Sequence, residues 1–168
     1  VIALLLLTSC ATVRVNSDYD KKVDFNMYKT YAFLKSGIDK VQISDLDKRR
    51  ILSAIDAQLQ TKGFTKSENP DMLINFFTKE QEQVNVNNYG MGFGYSWGWG
   101  FSPFYGGTYV NRYTEGTLFI DLIDAKRNEL VWQGQGVGVL TQNADKKDAL
   151  INDFVTKILA QYPPEQKK

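Results

Sequence analysis

The chain has 168 residues, of which 43% are hydrophobic and 23% are charged, and this length and composition predict one globular domain. Its 20 Lys and Arg residues against 19 Asp and Glu residues give a net charge of +1, with the two signs interspersed, so we expect no nucleic-acid partner. The chain has no histidine, which excludes Ser-His-Asp and Cys-His triads and zinc sites built on imidazole.

The chain begins with an apolar run that ends in Leu7-Thr8-Ser9-Cys10. This run is shorter than the about 20 residues that span a bilayer and suits the apolar region of a signal peptide. The four residues resemble the lipobox of bacterial lipoproteins, in which a branched apolar residue and two small residues precede a cysteine. The resemblance implies that residues 1–9 are a truncated signal peptide that is cleaved, and that Cys10 carries the acyl chains, palmitate among them. The alternative is a buried free cysteine at the end of an apolar strand.

Acylation of Cys10 would have consequences for thiol chemistry and for the location of the protein. The mature chain then has no free thiol, which excludes disulfides, thiol nucleophiles and cysteine metal sites. Ala11-Thr12-Val13 lacks the Asp that lipoprotein sorting rules associate with inner-membrane retention. We therefore expect a lipid-anchored protein in the cell envelope of a Gram-negative bacterium, at the outer membrane, with its domain close to the lipid.

Residues 11–162 are predicted to form a single domain, followed by a charged tail at 163–168. Alternation predicts strands at 11–16 and 30–34. A helix is predicted over 44–62, because Ser44 suits the N-cap, Gly63 suits the position after the last turn, and apolar residues follow helical spacing between them.

The second half predicts three strands and a helix. A strand starts at Met72 and continues to Val84, and a hairpin pairs 113–123 with 130–140. Gly134, Gly136 and Gly138 leave one face of the last strand bare, which favours close approach of a helix or of another backbone segment. A final amphipathic helix starts at Asp145. The order β-β-α-β-β-β-α predicts an α+β fold in which two amphipathic helices pack on a largely antiparallel sheet.

A segment rich in glycine and aromatic residues, 89–109, interrupts this pattern. Its Gly-x-Gly spacing does not indicate a dinucleotide site, because no helix pattern follows it. One interpretation is a low-complexity insertion in a hairpin. The others are contact with a ligand or membrane, by stacking on glycan or peptidoglycan sugars, by insertion in the membrane interface, or by binding another envelope protein. The residues that would make such a contact are Trp97, Trp99, Phe101 and Tyr105.

Catalysis is not expected. A glycan or peptidoglycan hydrolase using Glu80, Glu82 or Asp121 can be drawn, but a chain with 19 acids supplies such pairs without function. No calcium-loop motif or other ligand frame indicates a metal, and no motif indicates a cofactor.

Several motifs taken in order resemble a known family. They are Tyr28-Lys29-Thr30-Tyr31-Ala32-Phe33, Lys62-Gly63-Phe64, Asn69-Pro70-Asp71-Met72-Leu73-Ile74, Glu115-Gly116-Thr117-Leu118 and Leu130-Val131-Trp132-Gln133-Gly134. The chain resembles the bacterial lipoproteins grouped as domain of unknown function 4136. The resemblance implies an α+β domain on a lipid anchor and assigns neither activity nor site residues. We therefore expect a non-enzymatic binding or assembly module, with the hydrolase and a purely structural lipoprotein as alternatives.

Overall fold

The helices and strands follow the predicted order, with short elements added. The computed structural model describes residues 13–87 and 109–165. Within these ranges the helices are α1 (Lys35–Ile38), α2 (Asp45–Thr61) and α3 (Ala144–Leu159), and Phe25–Met27 forms a 3₁₀ turn. The strands are β1 (Arg14–Tyr19), β2 (Thr30–Phe33), β3 (Thr65–Lys66), β4 (Met72–Asn87), β5 (Tyr109–Asp124) and β6 (Glu129–Val139). The elements that the sequence did not predict are α1, β3 and the 3₁₀ turn.

Local side chains set the ends of the two long helices. The Ser44 hydroxyl accepts a 3.1 Å hydrogen bond from the backbone N–H of Asp47 and so caps α2. Gly63 follows α2 with φ +86°, a left-handed conformation that glycine adopts without strain. The Asn143 side chain accepts a 2.9 Å hydrogen bond from the Asp145 N–H at the start of α3. Both predicted helices are confirmed.

The six strands form one mixed sheet in the order β1-β6-β5-β4-β2-β3. Neighbours are antiparallel from β1 to β4, and β2 is parallel to both β4 and β3. The parallel pairs arise because α1 and α2 carry the chain back across the sheet between β2 and β3, and parallel strands need such a crossover. The predicted α+β class with a largely antiparallel sheet is confirmed.

Helices α2 and α3 cover one face of the sheet, termed the helix face, and this face holds the core. The fully buried side chains on its strands include Met72, Ile74, Phe76, Ile120, Leu122 and Trp132. Helix side chains Ile55, Leu59, Val155 and Ile158 complete the core. Each such burial contributes roughly 1.5–3 kcal/mol to folding.

The bare face of β6 receives α3, as the alternating glycines predicted. A Cβ on Gly136 would lie 2.9 Å from Cδ1 of Ile158. A Cβ on Gly134 would overlap the side chains of Ile158 and Trp132 outright. Only glycine lets the α3 side chains approach the backbone of β6 this closely.

A buried carboxylate fixes the turn between β5 and β6, at the turn end of the sheet. Asp124 is 4% exposed and accepts hydrogen bonds from the Tyr28 hydroxyl at 2.9 Å and from the backbone N–H groups of Lys126 and Arg127 at 2.9 and 2.8 Å. Burial alone would raise the pKa of Asp124, but these hydrogen bonds outweigh it and hold the pKa below its ordinary value. Asp124 is therefore a structural residue.

Candidate functional site

The two longest strands continue past the rest of the sheet. β4 and β5 pair along their whole length, whereas β6 pairs with β5 only as far as Val139, opposite Glu115. Residues 82–87 and 109–114, termed the ribbon, therefore have no third strand beside them among the described residues. The end of the sheet from which they extend is the ribbon end.

The chain enters the sheet at this same end. Arg14, the first residue of β1, lies opposite Val137 of β6, which lies opposite Thr117 of β5, which lies opposite Lys79 of β4. The ribbon starts just beyond Lys79. Strand β1 therefore begins beside the base of the ribbon.

Both long helices also begin at the ribbon end. They lie side by side and parallel: Lys147 Nζ is 2.9 Å from Asp47 Oδ2 near their starts, and Gln58 Nε2 donates to Thr156 Oγ1 at 3.0 Å near their ends. The partial positive charges of two helix N-termini consequently face the ribbon end.

A pocket of about 230 Å³ lies between the helix N-termini and the sheet. Its polar lining includes Thr78 and Glu80 of β4, with Asp47 and Lys147 of the two helices. Its apolar lining includes Ile43, Ile51, Leu118, Leu140, Leu150, Ile151 and Phe154. We take this pocket, together with the ribbon, as the candidate site.

Ion pairs join the two helices beside the pocket. Asp47 bonds Lys147, and Arg50 reaches Asp47 at 2.8 Å and Asp148 at 2.6 Å. Burial would raise the pKa of Asp47, but hydrogen bonds from Lys147, Ser44 and Arg50 outweigh it and lower the pKa below its ordinary value. The Asp47 carboxylate is therefore charged and paired at neutral pH.

The other face of the sheet, termed the open face, carries a polar row. Asp18, Gln133, Asp121 and Asn75 lie opposite one another across β1, β6, β5 and β4. Gln133 Nε2 donates to Asp121 Oδ1 at 2.7 Å, and Asp121 is 8% exposed. Burial raises the pKa of Asp121 above its ordinary value, against the hydrogen bonds from Gln133 and Asn75.

The sheet separates the acids of the hydrolase hypothesis. Glu80 and Glu82 continue the helix-face alternation of Phe76, whereas Asp121 lies between the helix-face residues Ile120 and Leu122 and so points to the open face. The structure therefore does not bring Asp121 together with the two glutamates. Such convergence is what a two-carboxylate hydrolase needs.

The other predicted site residues lie outside the described residues. They are the lipobox residues Leu7, Thr8, Ser9 and Cys10, and the aromatic residues Trp97, Trp99, Phe101 and Tyr105. Their predicted roles stay predictions.

Two features are absent from residues 13–87 and 109–165. No cluster of three or more Cys, Asp or Glu side chains suits a metal ion in those ranges. No helix within them is both long enough and apolar enough to cross a membrane.

One known protein family matches the sequence of this chain. The model of the family described as Domain of unknown function (DUF4136) matches residues 15–164, which is almost the whole described domain. The chain belongs to the DUF4136 family. The family membership that the motifs predicted is thus confirmed, and the family description assigns no activity. Among curated proteins, none matches the sequence.

Solved structures share the fold of this DUF4136 protein at low sequence identity. A PDZ domain protein from Parabacteroides distasonis matches with TM-score 0.54 and 17% identity over 94% of this chain. The match spans only 36% of that protein's chain. A PelC dodecamer from Paraburkholderia phytofirmans matches with TM-score 0.51 and 10% identity, over 89% of this chain and 96% of that one. At these identities the likeness shows the fold alone.

Sequence reasoning missed the pocket of the DUF4136 domain. Its lining residues read as ordinary core, because helical spacing identifies the apolar face of a helix and not the place where that face lacks a partner. Two residues carried a weak signal: Ile43 lies just before the N-cap of α2, and Leu140 lies just after β6. Apolar residues in connecting segments at one end of a sheet indicate that an apolar surface lies at that end.

Proposed function

We propose that this DUF4136 protein is a lipid-anchored module of the cell envelope that binds or assembles with envelope components and catalyses no reaction. One observation supports it most: β1 begins beside the base of the ribbon, at the end of the domain nearest to Cys10 in sequence. An acylated Cys10 would hold this end toward the membrane. The residues that follow Cys10 favour the outer membrane.

Chain lengths support a ribbon that meets the membrane surface. The connection from Cys10 to Arg14 spans at most about 14 Å when fully extended. From Lys79 to Asn87 the ribbon strand rises about 26 Å beyond the row that contains Arg14. The ribbon is therefore longer than the tether, and the membrane interface is the first surface it would meet.

The aromatic residues after Asn87 suit that surface. Trp97, Trp99, Phe101 and Tyr105 follow the ribbon in sequence, and Trp and Tyr are the residues most favoured at a membrane interface. We propose that they contact lipid there, in preference to glycan or a protein partner.

The anchor is tested by the variant Cys10→Ser. We expect the parent chain in the detergent-soluble membrane fraction with an intact mass that includes diacylglycerol and palmitate, and the variant without these additions. A parent chain whose mass shows an unmodified Cys10 would contradict the anchor.

The lipid contact is tested with the Cys10→Ser chain and vesicles of phosphatidylethanolamine and phosphatidylglycerol. We expect vesicle flotation to fall at least fivefold when Trp97, Trp99, Phe101 and Tyr105 are changed to Ala. In the matched control, Met27 and Leu130 are changed to Ala. These residues are 55% and 52% exposed and lie away from the ribbon, so this variant should float with vesicles as the parent does.

The same proteins are then mixed with purified peptidoglycan. Aromatic-dependent binding to peptidoglycan without binding to vesicles would replace lipid by glycan as the ligand. Equal behaviour of all variants in both assays would leave the protein a structural lipoprotein.

A further inference from the structure

The pocket at the ribbon end is large enough for an apolar guest. Its volume of about 230 Å³ exceeds the roughly 150 Å³ of an apolar protein cavity that binds benzene. It is smaller than the about 300–1,000 Å³ of pockets for drug-sized ligands. This size suits a small apolar group or a segment of a longer one, such as part of an acyl chain.

Part of the apolar lining is less tightly packed than the rest of the helix face. Ile43, Leu150 and Ile151 are only half-buried, whereas Ile158 further along α3 is fully buried. Thus α3 has packed side chains over its last turns and a partly wet apolar face over its first turns. Removing that face from water is favourable, so an apolar occupant would be stabilised there.

The polar groups beside the pocket suit a ligand with a charged end. Asp47, Glu80 and Lys147 line the pocket, and Arg50 pairs with Asp47 beside it, so charges of both signs border the apolar walls. A headgroup with both a phosphate and an amine could remain in water among these charges while its chain enters the pocket.

The pocket also lies close to the lipid anchor. Phe154 lines the pocket, and a Cβ on Gly138 would lie 3.0 Å from Phe154 Cζ and 3.3 Å from Val13 Cγ2. Val13 is therefore beside a pocket-lining residue. From Cys10 to Val13 the chain spans at most about 11 Å, so a membrane that holds the acyl chains of Cys10 would lie next to the pocket.

We infer that the pocket binds the end segment of one acyl chain of a membrane phospholipid. The inference rests on the proposed anchor for the supply of lipid, since the anchor brings the pocket to the bilayer. The fit of the chain to the pocket does not depend on the anchor, so the two proposals can fail separately.

The experiment uses the full chain with Cys10→Ser and phosphatidylethanolamine–phosphatidylglycerol vesicles that contain self-quenched phosphatidylethanolamine with a cis-parinaroyl chain. Transfer of the labelled lipid to the protein relieves quenching. We expect a saturable signal at one lipid per chain. Ile151→Trp and Ile43→Trp fill the pocket from two walls and should each weaken transfer at least tenfold.

Leu46→Trp is the matched control, because Leu46 is 57% exposed and does not line the pocket. It should leave transfer unchanged. Thermal unfolding identifies any variant that fails to fold. If one of the two pocket variants does not fold, the lipid transfer of the other one tests the inference. Equal transfer to all variants, or no saturable transfer, would overturn the inference even if the ribbon aromatics bind vesicles.

Two further arms identify the source of the chain. Uptake of free cis-parinaric acid without uptake of the phospholipid would overturn the assignment to a phospholipid. Transfer to the Cys10→Ser chain but not to the acylated parent would show that an acyl chain of Cys10 itself fills the pocket, and this too would overturn it.

Discussion

The helix face and the open face of the sheet use alternate residues of the same strands, yet they differ in chemistry. On β5, Ile120 and Leu122 are fully buried under the helices, whereas Asp121 between them belongs to a polar row with Gln133 and Asn75. Apolar packing stabilises the first face, and a carboxylate whose pKa is raised by burial destabilises the second at neutral pH. Substitutions in the apolar packing of the helix face should therefore lower stability, whereas removal of the Asp121 charge on the open face should raise it.

The largest change in stability should come from adding a side-chain atom where α3 packs on the backbone of β6. Gly134→Ala would place a Cβ into Ile158 and Trp132, and we expect it to lower the free energy of unfolding by about 3 kcal/mol. Gly138→Ala is the matched control in the same strand, because its Cβ would lie 3.0 Å from Phe154. It should cost about 1 kcal/mol. Urea unfolding measures both, and equal costs would contradict this account of α3 packing.

A smaller loss is expected at the turn end. Asp124→Ala leaves the Tyr28 hydroxyl and two backbone N–H groups without their acceptor, which should cost about 2 kcal/mol at pH 7. Because the folded-state pKa of Asp124 is lowered, its stabilisation is present above the ordinary carboxyl pKa and is lost as the pH falls through the folded-state value. The cost of Asp124→Ala should therefore shrink in acid, and a cost that is constant with pH would contradict the charged carboxylate.

The smallest effect, of opposite sign, is expected on the open face. Asp121→Asn removes a buried charge and keeps an acceptor for Gln133, so it should raise the free energy of unfolding at pH 7. The folded-state pKa of Asp121 is raised, so the penalty is full above that value and disappears as the pH falls through it to below the ordinary carboxyl pKa. Asp18→Asn makes the same change at an exposed position in the same row and should leave the free energy of unfolding at pH 7, measured in urea, unchanged.

Local signals made much of the fold predictable. Ser44 and Gly63 delimit α2 because caps act within one turn, and the glycines of β6 indicated a close approach that α3 makes. Periodicity could not predict that β2 runs parallel to β4, because strand order depends on where the chain returns after its crossover.

The candidate site was less predictable than the fold. The pocket depends on two helices, β4, β5 and the segment after β6 meeting at one end, and no window of sequence contains that arrangement. The Cys10 and aromatic predictions came from local motifs and still depend on experiment.

The pairing of β1 with β6 joins residues far apart in the sequence. β4, β5 and β6 are consecutive along the chain and pair as neighbours, whereas Arg14 must find Val137 near the other end of the chain. Closing so long a loop is slow relative to forming hairpins. We therefore expect β1, the strand that leaves the ribosome first, to join the sheet after β4, β5 and β6 have paired.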